Sequence, residues 1–180
     1  MPRKADPKLE QSIVDAALRL LARQGVEAVT MREVAKAAGT TTPTLYERFK
    51  DRDALLEAIT NCHRDRLVTT LEPKDSLEQA AKKFFAYCRK NPHAVDLLLK
   101  RIASNLKSKT RGPMYELVRT NLVRVDGFVD EDAEEMTLAT SSLIFGTALL
   151  VSKLGSGGPA AELERATLGL MRRLVASYKP

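Results

Sequence analysis

The stretch GTTTPTLYERFK, Gly39 to Lys50, sets a glycine, three threonines and a proline almost side by side and follows them at once with Leu-Tyr-Glu-Arg-Phe. Threonine and proline are poor helix-interior residues, so a chain built only for a stable bundle has no use for such a run. Read as punctuation, it makes sense. Gly39 stops one helix, and Thr42 as N-cap with Pro43 as first helical residue starts the next, since proline has no N–H to leave unpaired there and its φ is already helical. The spacing predicts a short helix over 43–49. Leu45 and Phe49, four apart, form its buried edge, and Thr44, Glu47 and Arg48 fall on the other side.

The flanks are helical too. Ile13, Ala16, Ala17, Leu20 and Leu21 follow the i, i+3, i+4, i+7, i+8 pattern of a first helix, with Gly25 as its left-handed C-cap. Thr30 is placed to cap the amide of Glu33 while Glu33 reaches back, and Val29 to staple onto Val34, which starts a second helix of about two turns ending at Gly39. Asp51 caps a fourth helix with Asp53 in its first turn and Leu55, Leu56 and Ile59 inside, running to about Thr70.

Two short helices joined by a tight glycine-containing turn and braced by longer helices make a helix-turn-helix, whose second short helix enters the DNA major groove. The outward residues suit that task. Thr42 and Thr44 offer hydroxyls and methyls, Tyr46 a phenol, and Arg48 a fork for guanine or phosphate. Arg32, Lys50 and Arg52 are candidate phosphate clamps. Glu47 fits either an acceptor for cytosine N4 or a plain surface charge. Leu45, Phe49, Ala35 and Ala38 belong to the core.

Residues 13 to 59, with the helix-ending Gly25, the Thr30 cap, the VAKAAG second helix, the TLYERF third helix and Leu55 after a basic residue, resemble without gaps the DNA-binding domain of TetR-type (tetracycline-repressor-like) transcriptional regulators. The resemblance covers about a quarter of the chain. It implies a homodimer on a double-stranded palindromic operator and a divergent helical domain that binds a small-molecule inducer. It places Arg32, Thr42, Pro43, Thr44, Tyr46, Glu47, Arg48 and Arg52 where that family contacts DNA. Thr40 departs from the usual apolar residue after the turn glycine, Arg48 stands where histidine or tyrosine is more usual, and Arg52 where lysine is.

Beyond residue 60 only patterns guide the reading. Helices are predicted over about 76–90, 92–107, 113–125, 131–154 and 159–178, started at Asp75, Asn91-Pro92, Gly112-Pro113, Asp130 and Gly158-Pro159, with Gly155 to Pro159 a plain linker. With no strand signal, the expected fold is all-α with about nine helices: a helix-turn-helix domain over 1–52, joined by a fourth helix to a helical ligand-binding and dimerisation domain over 53–180.

From Met136 to Val151 the eighth helix is apolar on nearly every side, and the ninth has two apolar faces, so each must be covered on more than one side. Pairing both with their symmetry mates in a four-helix bundle does this, which sets Leu143, Thr147, Leu150, Leu163, Leu170 and Leu174 at a dimer interface. An inducer pocket among the remaining helices draws on Phe84, Phe85, Cys88, Leu98, Arg101, Met114, Tyr115, Phe128 and Phe145, each of which also reads as ordinary core.

Composition narrows the function classes. The net charge is +6, with eleven Lys and Arg against Asp96 and Glu116 over residues 82–124. That excess fits an anionic ligand or a solvated face. Two isolated cysteines, Cys62 and Cys88, and two isolated histidines give no metal-ligand spacing, and no nucleotide-binding or hydrolase motif is present, so neither cofactor nor catalysis is expected. The polar start has no apolar leader and the run Leu143 to Val151 is too short to span a bilayer, so a cytoplasmic protein without a membrane partner is expected. The rival reading keeps the same head on an architectural or protein-regulated DNA-binding protein without a small-molecule pocket.

Overall fold

The computed structural model describes residues 7–155 and 157–178. Met1 to Asp6 and Ser156 of the expected linker lie outside them. Among the described residues there are nine α-helices, a single-turn 3-10 helix and no strand. The chain packs as two compact units, one running to His63 and one from Arg64 onward. The division falls inside the fourth helix, beyond the 52/53 boundary read from the sequence, and Leu55, Leu56 and Ile59, all buried, lie in the first unit.

The first unit holds α1 (Pro7–Gln24), the 3-10 turn (Val26–Ala28), α2 (Met31–Ala37), α3 (Thr42–Tyr46) and the first part of α4 (Arg52–Thr70). Gly25 ends α1 at φ 80, ψ −178, a region open to glycine but distinct from the left-handed cap expected, and the 3-10 turn follows directly. Thr30 accepts from the Glu33 amide as expected. The Thr30 amide donates to the Ala28 carbonyl, not to the Glu33 side chain. Ala38 is only half-buried, so it sits at the core's margin.

The turn between α2 and α3 is a Schellman motif. Gly39, at φ 66, donates to Lys36 O at 3.3 Å, and Thr40 donates to Ala35 O at 2.9 Å, which satisfies two terminal carbonyls of α2. The sequence reading placed the following cap one residue late. Thr41, extended at φ −103, ψ 154, is the N-cap and accepts from the Thr44 amide at 3.3 Å, while Thr42 and Pro43 are the first two helical residues. Any of three consecutive threonines can cap, and only Thr41 has its hydroxyl three residues before a free amide once Pro43 occupies the second position.

The second unit contains the remainder of α4 with α5 (Leu77–Lys90), α6 (Pro92–Lys107), α7 (Pro113–Arg124), α8 (Asp130–Leu154) and α9 (Gly158–Tyr178). Its core joins Leu67, Leu77, Phe85, Cys88, Val95, Leu122, Phe128, Ile144, Ala148 and Met171. Ser76, not Asp75, caps α5, in a capping box with Gln79. Asp75 instead accepts from the Glu72 amide at 2.7 Å and from Lys83 Nζ at 2.9 Å. Val129 precedes α8, leaving Asp130, Glu131 and Asp132 in its first turn, where carboxylates oppose the helix dipole's positive end. The end of α7 clamps the α4–α5 connection: Asn121 Nδ2 donates to Glu72 O at 3.0 Å, and Asp126 Oδ2 accepts from the Leu77 amide at 2.8 Å.

By length and mean hydropathy, 1.4 over its best window, α8 is long and apolar enough to cross a membrane, although its longest uninterrupted apolar run is not. One flank, from Thr137 through Thr140, Ile144 and Ala148 to Val151, is buried against the chain itself. The hydroxyls of Thr137 and Thr140 donate back to Ala133 O and Met136 O, as expected of polar groups placed in a protein core.

Candidate functional site

In the first unit the residues singled out by sequence gather around α3. Leu45 is 0% exposed and Phe49 is buried beside it, so the short helix is pinned from behind. Pro43, Tyr46 and Glu47, at i, i+3 and i+4, form its outer face, with Tyr46 52% exposed. Lys50 follows on the surface, and Arg32 is exposed on α2. Thr42 and Thr44 are half-exposed, and the Thr44 hydroxyl shares a 2.9 Å hydrogen bond with that of Thr41. The surface around α3 therefore offers two cations, one carboxylate, a phenol and two hydroxyls on a rigid mount.

Two arginines are placed differently from the sequence reading. Arg52, expected to clamp phosphate, donates from Nε to Val29 O and from Nη2 to Val26 O, both at 2.7 Å. It ties the start of α4 to the loop before α2, because a guanidinium fork fits two convergent carbonyls. Arg48 is half-buried, and its Nη1 is shielded with no hydrogen-bonding partner in the chain. That nitrogen is available to an acceptor from outside only through a rotamer change.

The second unit holds a cavity of about 120 Å³ between α4, α5, α6, α7 and α8. Its buried floor is Leu67, Phe84 and Leu98, its walls include Ile102, Leu138 and Phe145, and Leu106, Thr110, Arg111 and Ser142 make an exposed rim. Six of the nine expected lining residues border it: Phe84, Leu98, Arg101, Met114, Tyr115 and Phe145. Phe84 meets Phe145 edge-on at 5.1 Å between ring centres.

Phe85, Cys88 and Phe128 do not border it. Adjacent residues on a helix point about 100° apart, so Phe84 and Phe85 cannot face the same space. Phe85 turns into the core, as does Cys88, whose thiol pKa is pushed up to about 12 by burial. Phe128 packs on Tyr178 at 4.5 Å.

The sequence reading missed Arg64, Asn105 and Arg111 as lining. The excess of basic residues over 82–124 was the one signal available, since Arg101 and Arg111 belong to it. The Arg111 guanidinium lies 4.6 Å from the Tyr115 ring centre and is paired with Glu134, which raises its pKa. Burial, reinforced by Glu134, raises the pKa of Tyr115, so its phenol stays protonated at neutral pH. The Tyr115 hydroxyl is shielded and meets no hydrogen-bonding atom of the chain.

On α8 and α9, Leu143, Leu150 and Leu170 are exposed, at 42%, 52% and 41%, and Leu163 and Leu174 are half-buried. Thr147 differs from the expectation. It is buried and shares a 2.7 Å hydrogen bond with the Thr167 hydroxyl, so the edge of the Leu143–Leu150 face on which it lies meets α9.

The pattern that defines the tetR family of bacterial regulatory proteins matches residues 13–59, from within α1 through the first two turns of α4. Residues 13–59 are a domain of that family. An HTH-type transcriptional regulator from Haemophilus influenzae is 32% identical over 128 residues, 67% of this chain and 64% of its own length. The tetracycline repressor protein class D from Escherichia coli is 29% identical over 149 residues, 77% of this chain and 64% of that protein. The chain thus spans less than two thirds of the length of these relatives. A crystal structure of BioQ with its natural double-stranded DNA operator superposes with a TM-score of 0.68 at 18% identity, over 93% of this chain and 98% of that one. At that identity the likeness speaks for the fold alone, and it extends through the second unit.

Proposed function

We propose that the protein is a homodimeric, sequence-specific transcriptional repressor, released from a palindromic DNA operator by a small molecule taken into the cavity of its second unit. The reading rests above all on α3, a helix anchored by Leu45 and Phe49 that turns Pro43, Tyr46 and Glu47 to solvent. Nothing about stability requires an exposed tyrosine there; a major-groove reader does. Thr42, Thr44 and Tyr46 are assigned to bases and phosphates, Lys50 and Arg32 to phosphates, and Arg48 to either through a rotamer change. The tetracycline repressor's name and the operator bound by BioQ support the same assignment. A chromosomal operator sets the site of action in the cytoplasm, and regulation rather than catalysis is the activity.

Two features favour this over an architectural DNA-binding protein. The cavity is of a size to hold a small molecule, and Leu143, Leu150 and Leu170 line an apolar face that a second copy would cover.

Titration against DNA flanking its own gene, at several salt concentrations, tests the proposal. A repressor binds one site at least about a thousandfold more tightly than bulk DNA. Tyr46→Ala is expected to weaken that site about tenfold while leaving the thermal midpoint near the wild-type value, because the side chain is half in water. Equal affinity for every sequence, with only a steep salt slope, would overturn it.

A further inference from the structure

The lining of the cavity is chemically one-sided. Three arginines border it, Arg64, Arg101 and Arg111, and no aspartate or glutamate does. Glu134 neutralises Arg111 from outside the lining, and Asp65 pairs with Arg64 at 2.7 Å. Such pairing leaves a surface that accepts hydrogen bonds from none of its charged groups and donates from all of them. The first turn of α7, Gly112 to Tyr115, also borders the cavity, and Gly112 caps it without a side-chain hydrogen bond. The partial positive charge of that helix end thus adds to that of the arginines in the lining.

The Tyr115 hydroxyl adds a further donor. It is shielded from solvent and unmatched by any hydrogen-bonding atom of the chain, so a small rotation into the cavity that Tyr115 borders would give this costly unpaired group a partner. Its raised pKa keeps it a phenol, able to donate, over the whole physiological range. The buried floor of Leu67, Phe84 and Leu98 carries no polar side-chain atom.

We propose that the cavity takes a small single-ring carboxylic acid, its ring on the apolar floor and its carboxylate held by Tyr115, the start of α7 and the guanidinium groups of the lining. The inference rests on the ligand-regulated reading above and names the class of molecule that reading leaves open. Size supports one ring: a volume of about 120 Å³ is close to the roughly 150 Å³ cavity known to hold benzene. Cationic amphiphiles are disfavoured, because the lining holds no carboxylate to receive them and the two beside it, Asp65 and Glu134, are already paired with arginines.

Benzoate, benzamide and benzamidine share one shape and differ in charge, which makes them the probes. Calorimetric titration of the full chain is expected to show benzoate binding at least tenfold more tightly than benzamidine, with benzamide between them. Tyr115→Phe should cut benzoate affinity about tenfold and leave benzamidine unchanged, and a Tyr115 ring resonance shifting only with benzoate would report the contact even if the variant folds poorly. Equal or tighter binding of benzamidine, or no binding of benzoate at millimolar concentration, overturns the inference. Operator release is scored separately: benzoate that binds without weakening DNA binding refutes the inducer reading and leaves the anion preference standing.

Discussion

The guanidinium of Arg52 spans two carbonyl oxygens, those of Val29 and Val26, at 2.7 Å each. A residue at the start of α4 thereby fixes the loop that leads into α2. Arg52→Ala is expected to destabilise the head by about 1–2 kcal/mol, the lower part of the range for charged hydrogen bonds because the side chain is 38% exposed. Arg52→Lys should recover only part of this, since one ammonium cannot satisfy two convergent acceptors as a fork does. The salt dependence of operator binding discriminates brace from clamp. A brace leaves the slope of log affinity against log salt unchanged, and a slope smaller by about one would mean that Arg52 contacts phosphate after all.

Thr41 and Thr42 differ in sequence only by position, yet just one carries the cap of α3. Thr41→Ala should cost about 1 kcal/mol, and Thr42→Ala a few tenths at most, in chemical denaturation. The reverse order would restore Thr42 as the cap. Operator affinity is expected to rank them the other way, since Thr42 has its hydroxyl free of the cap.

Leu143 and Leu150 lie seven residues apart on the exposed side of α8. If a second copy covers that side, Leu143→Glu with Leu150→Glu gives a folded monomer by sedimentation velocity, while the wild type sediments as a dimer. Thr147→Val should leave the dimer intact and lower stability by about 1 kcal/mol, because it leaves the partly buried Thr167 hydroxyl unpaired. A double glutamate variant that still sediments as a dimer would move the interface elsewhere.

Cys88 supplies a pH dependence. Burial pushes its thiol up to about 12 from an ordinary value of 9.0. Below pH 9 both folded and unfolded chains hold the proton and the group is neutral to stability. Above it the unfolded chain ionises while the folded one does not, so stability falls as pH rises towards 12. Cys88→Ala removes this loss. Between pH 7.5 and 10.5 the wild type should lose up to about 2 kcal/mol more than the variant, measured by urea unfolding. Parallel curves would contradict a buried, protonated thiol.

Proline and glycine made most of the fold legible. Pro92, Pro113 and the Gly158-Pro159 pair start helices where the sequence puts them, because proline at a helix start is written in its covalent geometry and needs no tertiary partner. Choices among equivalent side chains were not legible. Thr41 over Thr42, Ser76 over Asp75 and Val129 before Asp130 depend on backbone angles that tertiary packing selects. The Ser76 and Gln79 pair was in fact readable as a capping box three residues apart.

Side-chain destinations were harder still. Arg52 has the same chemistry for a phosphate as for two carbonyls, and only the position of Val26 and Val29 decides between them. Phe84 and Phe85 look alike in a hydrophobic stripe and end on different sides of α5. Arg111, in a loop without periodicity, was marked only by the general basic excess of its stretch.

The two polar ties at the end of α7 have a consequence for synthesis. Asn121 to Glu72 and Asp126 to Leu77 each join residues 49 positions apart, whereas the tie of Arg52 to Val26 in the head spans 26. On the ribosome the head can close as soon as α4 has emerged. The later unit must wait for more than fifty further residues before the entry to α5 is locked, so a stalled nascent chain would display a finished head on an unfinished body.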